Sequence, residues 1–221
     1  MKFNFAIGIP TIFRADLLNQ ALEKYAHYLP DTYIHILDNG SQSINQYSEN
    51  ICIHRPNQNL GVAGSWNYLC NNIFQNYDFA LILNDDIELC IPQDVISFYV
   101  SNKNFDLARC EPEFDMSAFI LTKQCFETIK FDEKFFPAYF EDMDYLYQLK
   151  KSEKVVLESS LLNPTLFRRC QSTWQNNTGQ ETSLGKGGRR SKVFQSLEAY
   201  YVKKWGGTPG NETYQHSFNQ A

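Results

Sequence analysis

Four groups of residues in this 221-residue chain have the types and spacing for chemistry. The first is Asn84-Asp85-Asp86, directly after the apolar run Phe79 to Leu83. Two adjacent carboxylates repel each other unless water or a cation separates them. Oxygen donors of this kind suit Mg²⁺ or Mn²⁺ shared with a substrate phosphate. Alternate side chains of an extended segment share a face, so Asn84 and Asp86 are expected to point together. Asp86 is then the expected direct metal ligand, with Asn84 or Asp85 assisting; the alternative is a polar loop that caps a downstream helix. The second group is Glu141-Asp142-Met143-Asp144, where a helix is expected to start. Acidic residues suit a first helical turn. The spacing of Asp142, Leu146 and Leu149 (i, i+4, i+7) puts Asp142 on the core-facing stripe as well. A carboxylate there, behind Phe135-Phe136 and Tyr139-Phe140, is expensive unless used, which favours a general base over a buried cap.

The third group is the small-residue stretch at 59–67, with Gly61, Ala63, Gly64 and Ser65. It either lets a ligand approach the backbone N–H groups that open a helix or permits tight helix packing. Its spacing is not that of a dinucleotide fingerprint. The fourth is the polar, basic, glycine-bearing stretch from Gln171 to Lys192, read as a lid over an anionic group or as a surface loop. Its Gly179 to Lys186 portion has the wrong spacing for a phosphate-binding P-loop.

The elements that must position these groups alternate. Phe3 to Ile9 reads as a strand stopped by Pro10, and 15–28 as a helix on the spacing of Leu18, Ala21, Leu22 and Tyr25. Tyr33 to Leu37 is a strand closed by the turn residues Asp38-Asn39-Gly40-Ser41, and Ile51 to Ile53 is a brief third strand. Val62, Trp66, Leu69 and Ile73 mark a second helix, and Phe79 to Leu83 a fourth strand. Strand–helix alternation with continuously apolar strands implies an α/β fold, a parallel sheet covered on both faces. Ligands bind at the carboxyl ends of such strands. Thr11 and Arg14, Asp38 to Ser41, and Asn84 to Asp86 are therefore expected to converge on one sheet edge.

Taken in order, these pieces resemble family 2 glycosyltransferases with the GT-A-type fold. The matching segments are Ile7-Gly8-Ile9-Pro10-Thr11, Leu37-Asp38-Asn39-Gly40-Ser41, Asn59 to Gly64, Leu83 to Asp86, and Phe135-Phe136 through Asp144. The ending Tyr200 to Gly207 is similar to rhamnosyltransferase-like bacterial or phage members, and the match spans about residues 3 to 207. The resemblance implies a single Rossmann-like, mostly parallel central sheet with helices on both faces and a C-terminal helical and loop extension. It divides one domain into a nucleotide-sugar half (1–100), an acceptor half with the acidic helix (101–163) and a basic lid with its extension (164–221). It implies inverting transfer of a sugar, hexosyl or pentosyl, from a nucleotide-diphosphate donor to the hydroxyl of a saccharide or lipid-linked acceptor.

By position, the resemblance places Thr11 and Arg14 in the nucleotide pocket beside Asn39, and Asp38 on the base or ribose. Gly61 and Gly64 would flank the nucleoside. Asp86 would carry the metal, Mn²⁺ or Mg²⁺, next to Asn84 and Asp85, in an N-x-D variant of the family's D-x-D. Asp142 would be the base that deprotonates the acceptor, with Glu141 supporting it and Asp144 nearby. Arg168 and Arg169 stand where relatives place a metal-binding histidine, and with Lys186 and Arg189 they would reach the diphosphate.

Composition sets outer bounds. Apolar residues make up 43% and charged residues 20%, with a net charge of −5, so the chain is globular and has no general affinity for polyanions. Between Pro164 and Lys204, eight basic residues face two acidic ones, a net of +6 that leaves −11 for the rest. That basic quarter keeps open a second reading, transfer to modified bases in DNA. A third reading is a catalytically silent nucleotide-sugar-binding protein. The six cysteines form no C-x-x-C pair and read as buried free thiols of a reducing compartment. No apolar stretch approaches the roughly 20 residues of a membrane helix. The N-terminus turns polar too soon for an export signal, so a cytoplasmic or membrane-peripheral protein is expected.

Overall fold

The computed structural model describes residues 4–89, 104–110, 116–157, 167–169 (backbone only) and 192–220. A seven-stranded sheet organises the chain, in the order β3-β2-β1-β4-β7-β6-β8. Its strands are β1 (Phe5–Thr11), β2 (Ile34–Asp38), β3 (Ile51–His54), β4 (Phe79–Leu83), β6 (Leu107–Arg109), β7 (Ala118–Thr122) and β8 (Val156–Leu157). The first four run parallel to one another, β7 runs antiparallel to both neighbours, and β6 pairs β8 in parallel. A separate two-stranded sheet joins β5 (Ile87–Leu89) to β9 (Phe167–Arg169).

Why the strands are apolar throughout follows from what covers them. On one face, Leu18, Leu22 and Tyr25 of α1 (Ala15–Tyr28) pack on Ile7, Ile9, Ile34 and Ile36. On the other, Trp66, Leu69 and Ile73 of α2 (Gly61–Ile73) pack on Ala6, Ala80 and Ile82. Phe126 of α3 (Lys123–Thr128), with Tyr145 and Leu149 of α4 (Glu141–Lys151), extends that second layer. Each buried large apolar side chain contributes about 1.5–3 kcal/mol, so both faces of the strands are fixed by burial. Gly8 lets α2 come close, since a Cβ there would sit 2.7 Å from Ile82 Cδ1 and 3.3 Å from Leu69 Cβ. A third cluster docks α5 (Lys192–Trp205) on α4 through Phe135, Phe140, Tyr147, Leu197, Tyr201 and Trp205.

The strand ends differ from the sequence expectation by a residue or two, and the end of β1 has a clear reason. β1 does not stop at Pro10 but continues to Thr11. Ile7 N donates to Tyr33 O on the β2 side, so the alternating ladder turns the position of Pro10 towards β4. The β4 pairing has already ended there, at Gly8 opposite Ile82, and no donor is needed. Four cysteines, at 52, 70, 110 and 125, are free thiols; Cys90 and Cys170 lie outside the described residues. Among the described residues, no helix is long and apolar enough to cross a membrane.

Candidate active site

The carboxyl ends of β1, β2 and β4 lie side by side, which brings three of the expected groups to one edge. Thr11 closes β1, and its hydroxyl donates to Asp85 Oδ2 at 2.8 Å, across 74 residues of sequence. Asn84 N donates to Ser117 O and Ile87 N to Asn84 O, a turn that aims the two aspartates away from β4. Asp86 is buried. Burial pushes the Asp85 carboxyl up to about 7, and the charge of Asp86 adds to this against the opposing pull of Thr11 and Arg14. Arg14 Nε also lies 3.4 Å from Asp16 Oδ1. Two adjacent carboxylates are oxygen donors of the kind a divalent cation takes. Among the described residues, no group of three His, Cys, Asp or Glu side chains gathers to hold a metal on its own.

The turn after β2 is held by its own side chains. Asp38 is placed at the same edge, but both of its oxygens serve the protein. Oδ1 accepts from Gly40 N at 3.0 Å and Gln42 Nε2 at 3.3 Å, while Oδ2 accepts from Gln42 N at 2.7 Å and Arg55 Nε at 3.3 Å. Asp38 therefore shapes the turn that follows β2 at this edge. Asn39 is engaged likewise, donating to Ser65 Oγ at 2.9 Å and accepting from Leu60 N at 3.0 Å. Gln42 was missed by sequence reasoning and ties the edge together. Besides Asp38 it donates to Thr11 Oγ1 at 3.3 Å and accepts from Ala15 N at 2.7 Å, satisfying an orphan N–H of α1.

At Gly61 the chain packs closely against the loop before the acidic helix. Gly61 N donates to Asn59 Oδ1 and Val62 N to Pro137 O, both at 2.8 Å, so the N–H groups opening α2 are already used. Gly61 has φ +68°, and a Cβ there would lie 2.8 Å from Pro137 O and 2.9 Å from Phe136 Cδ2. Gly64 is buried against Leu60 and Glu133. The glycines thus seat the loop Phe136-Pro137, which carries a cis peptide bond, on the end of α2. Through that contact the start of α4, four residues further on, is tethered to the edge that holds Asp85 and Asp86.

The first turn of α4 differs from its expected orientation. Its buried face is Glu141, Asp144, Tyr145, Tyr147 and Leu149, whereas Asp142 and Leu146 are half-buried. Asp142 sits on the flank, with Oδ1 accepting from Met143 N at 2.8 Å. Glu141 is only 7% exposed, and its Oε2 has no hydrogen-bond partner. Burial holds its carboxyl well above the ordinary range, and the charge of Asp142 raises it further. Two residues before it, Tyr139 (φ 92°) and Phe140 (φ 70°) are both left-handed, a costly conformation for side chains of this size that recurs at functional sites. Asp144 is fully buried and fully used, accepting from Gln148 Nε2, Trp205 Nε1 and Lys204 Nζ, each at 2.7 Å.

The remaining expectations fall at the margin. Arg168 and Arg169 lie on β9, opposite Glu88 and Ile87 of the strand that follows the aspartates. Their side chains, and all of Lys186 and Arg189 with the expected lid, lie outside the described residues.

No protein-family model matches the chain, and no curated protein sequence matches it. Solved structures do. The catalytic domain of Drosophila beta1,4-galactosyltransferase 7, in complex with xylobiose, superposes with a TM-score of 0.56 and 12% identity, covering 79% of this chain and 74% of that one. A mutant of the same enzyme, in complex with manganese, UDP-Gal and xylobiose, gives the same values. Glucosyl-3-phosphoglycerate synthase from Mycobacterium tuberculosis, in complex with Mn²⁺, UDP and phosphoglyceric acid, gives 0.54 and 9%, covering 71% and 68%. The S. aureus protein TarS gives 0.53 and 13%, covering 72% of this chain and 36% of that one. The fold is the GT-A type of the nucleotide-sugar glycosyltransferases.

Proposed function

We propose that the chain is an inverting glycosyltransferase, similar to family 2 members, moving a hexosyl or pentosyl group from a nucleotide-diphosphate sugar to an acceptor hydroxyl. The observation that carries this is the edge itself. Thr11, Asp85 and Asp86 stand at the ends of β1 and β4, and the Val62–Pro137 hydrogen bond ties the acidic start of α4 to the neighbouring helix end. Asp86, assisted by Asp85, would hold Mn²⁺ or Mg²⁺ on the donor diphosphate, where a bound cation supplies charge neutralisation for the departing phosphate. Thr11 and Arg14 would line the nucleotide side, and by the resemblance Arg168, Arg169, Lys186 and Arg189 would add positive charge near the diphosphate.

The chemistry asked of the protein's own residues is proton removal and positioning. An acceptor hydroxyl is a poor nucleophile until a carboxylate takes its proton. Asp142, the half-buried member of the acidic pair, is the base; Glu141 supports it from below. As the proton moves to Asp142, the acceptor oxygen bonds to the anomeric carbon from the face opposite the diphosphate. The bond from that carbon to the phosphate oxygen breaks, and the configuration inverts. General-base help of this kind gives about 10²–10⁴-fold. The acceptor is a saccharide or lipid-linked sugar.

Calorimetry with UDP-, GDP- and dTDP-sugars, with and without Mn²⁺, tests the donor half. One of these donors should bind with a metal-dependent component that Asp86→Ala removes. Metal-dependent binding that persists in Asp86→Ala would refute the assignment.

A further inference from the structure

The use of Asp144 has a consequence for the acidic turn. This residue belongs to the Glu141-Asp142-Met143-Asp144 motif, yet it faces away from any ligand and into the contact with α5. Lys204, itself only 6% exposed, places Nζ 2.7 Å from Asp144 Oδ1 and 2.7 Å from Asp132 Oδ2. Trp205 Nε1 donates to Asp144 at 2.7 Å, and Tyr200 OH donates to Asp132 at 2.8 Å. The lysine lies near the rings of Phe135 and Trp205, with Nζ 5.6 Å and 5.4 Å from their centroids. One buried cation thus serves two carboxylates from two segments that flank the loop leading into α4. We propose that Lys204 is a positioning residue for the acidic pair: it fixes the first turn of α4 from the C-terminal helix and offsets part of the charge of Asp144 that bears on Glu141.

The groups involved can be named from each side. Within α4, Asp142 and Asp144 both act on Glu141 to raise its proton affinity, and Tyr139 faces it from the preceding loop. Asp144 is faced by Lys204, Trp205 and Tyr201 of α5, by Asp132 and by Gln148. Lys204 is the sole cation among these groups. Without it, two carboxylates lose their counter-charge and Glu141 gains an uncompensated neighbour.

This inference rests on the transferase reading for its kinetic arm but has a second arm that does not. In Lys204→Met, which keeps the aliphatic stem and removes the charge, the acid limb of the kcat/KM profile should move up by roughly one pH unit. Lys204→Arg should restore it. Leu197→Ala, which loosens α5 through its buried apolar face, should lower Tm and leave the limb in place. An unmoved limb in Lys204→Met, or an equal displacement in Leu197→Ala, would reduce Lys204 to a purely structural residue. The carboxyl carbon resonance of Glu141, followed by NMR in donor-free protein, reads the same displacement without any turnover. Should no sugar transfer be found, an upward-shifted Glu141 titration in Lys204→Met still upholds the inference, and an unshifted one overturns it.

Discussion

Glu141 shows how much a single carboxyl group can reveal when its surroundings are accounted for. Its Oε2 is buried without a hydrogen-bond partner, a costly arrangement in a folded protein unless a ligand or proton uses it. Burial, then the charge of Asp142, raises its proton affinity on folding, so the folded state favours the protonated form. The contribution to stability is full at low pH and is lost as pH rises past the ordinary glutamate value of about 4.3 towards the raised folded value. Glu141→Gln cannot ionise and escapes that loss. Its Tm relative to wild type should therefore rise between pH 4.5 and pH 8; a constant difference would show that Glu141 ionises freely in the folded state. The sequence placed a carboxylate on the buried face of this helix but chose the wrong one. Its i, i+4, i+7 stripe ran through Asp142 and Leu146, while the stripe that packs runs through Glu141, Tyr145 and Leu149. Asp144 is buried as well, because Trp205 and Lys204 cover it from 61 and 60 residues away, a contact that no local periodicity contains. A signal existed on the far side. Leu197, Tyr201, Lys204 and Trp205 are spaced i, i+4, i+7, i+8, which puts the lysine on an apolar stripe where only a paired charge is stable.

Elements were legible where their surroundings are uniform. β4 and α1 follow the sequence expectation residue for residue, since one is covered on both faces and the other presents one clean stripe to the sheet. β5, β6 and β9 have three residues each and were not expected. Such segments hold as strands only through their partners. The opening of α2 shows the same limit from another side. Glycines there were compatible with a ligand or with packing, and the approach of Pro137 to Gly61 is a contact that no local pattern contains. That contact joins the start of α2 to the loop that leads into the acidic helix. Gly61→Ala forces a Cβ to within 2.8 Å of Pro137 O at a φ of +68°. It should cost about 1–3 kcal/mol in denaturant unfolding. Turnover should fall more than donor binding, because the loop moves and Thr11 and Asp85 do not. An alanine variant as stable and active as wild type would remove this contact from the account.

Across the whole molecule, the order of the strands explains why residues as distant as Thr11, Asp85 and the turn after β2 share one edge. Parallel β1, β2 and β4 end together, and the Val62–Pro137 hydrogen bond ties the loop before α4 to the start of α2. α5 then closes that end from behind through a cluster of aromatic side chains and one buried lysine. The account's central claim is that this edge moves a sugar, with Asp142 as its base. The most direct measurement is nucleoside-diphosphate release from UDP-, GDP- and dTDP-sugars in the presence of Mn²⁺ and saccharide acceptors, for wild type and Asp142→Asn. Acceptor-dependent turnover with one donor class is expected, reduced by about 10²–10⁴-fold in Asp142→Asn while donor affinity stays close to wild type. Full turnover in Asp142→Asn would contradict it.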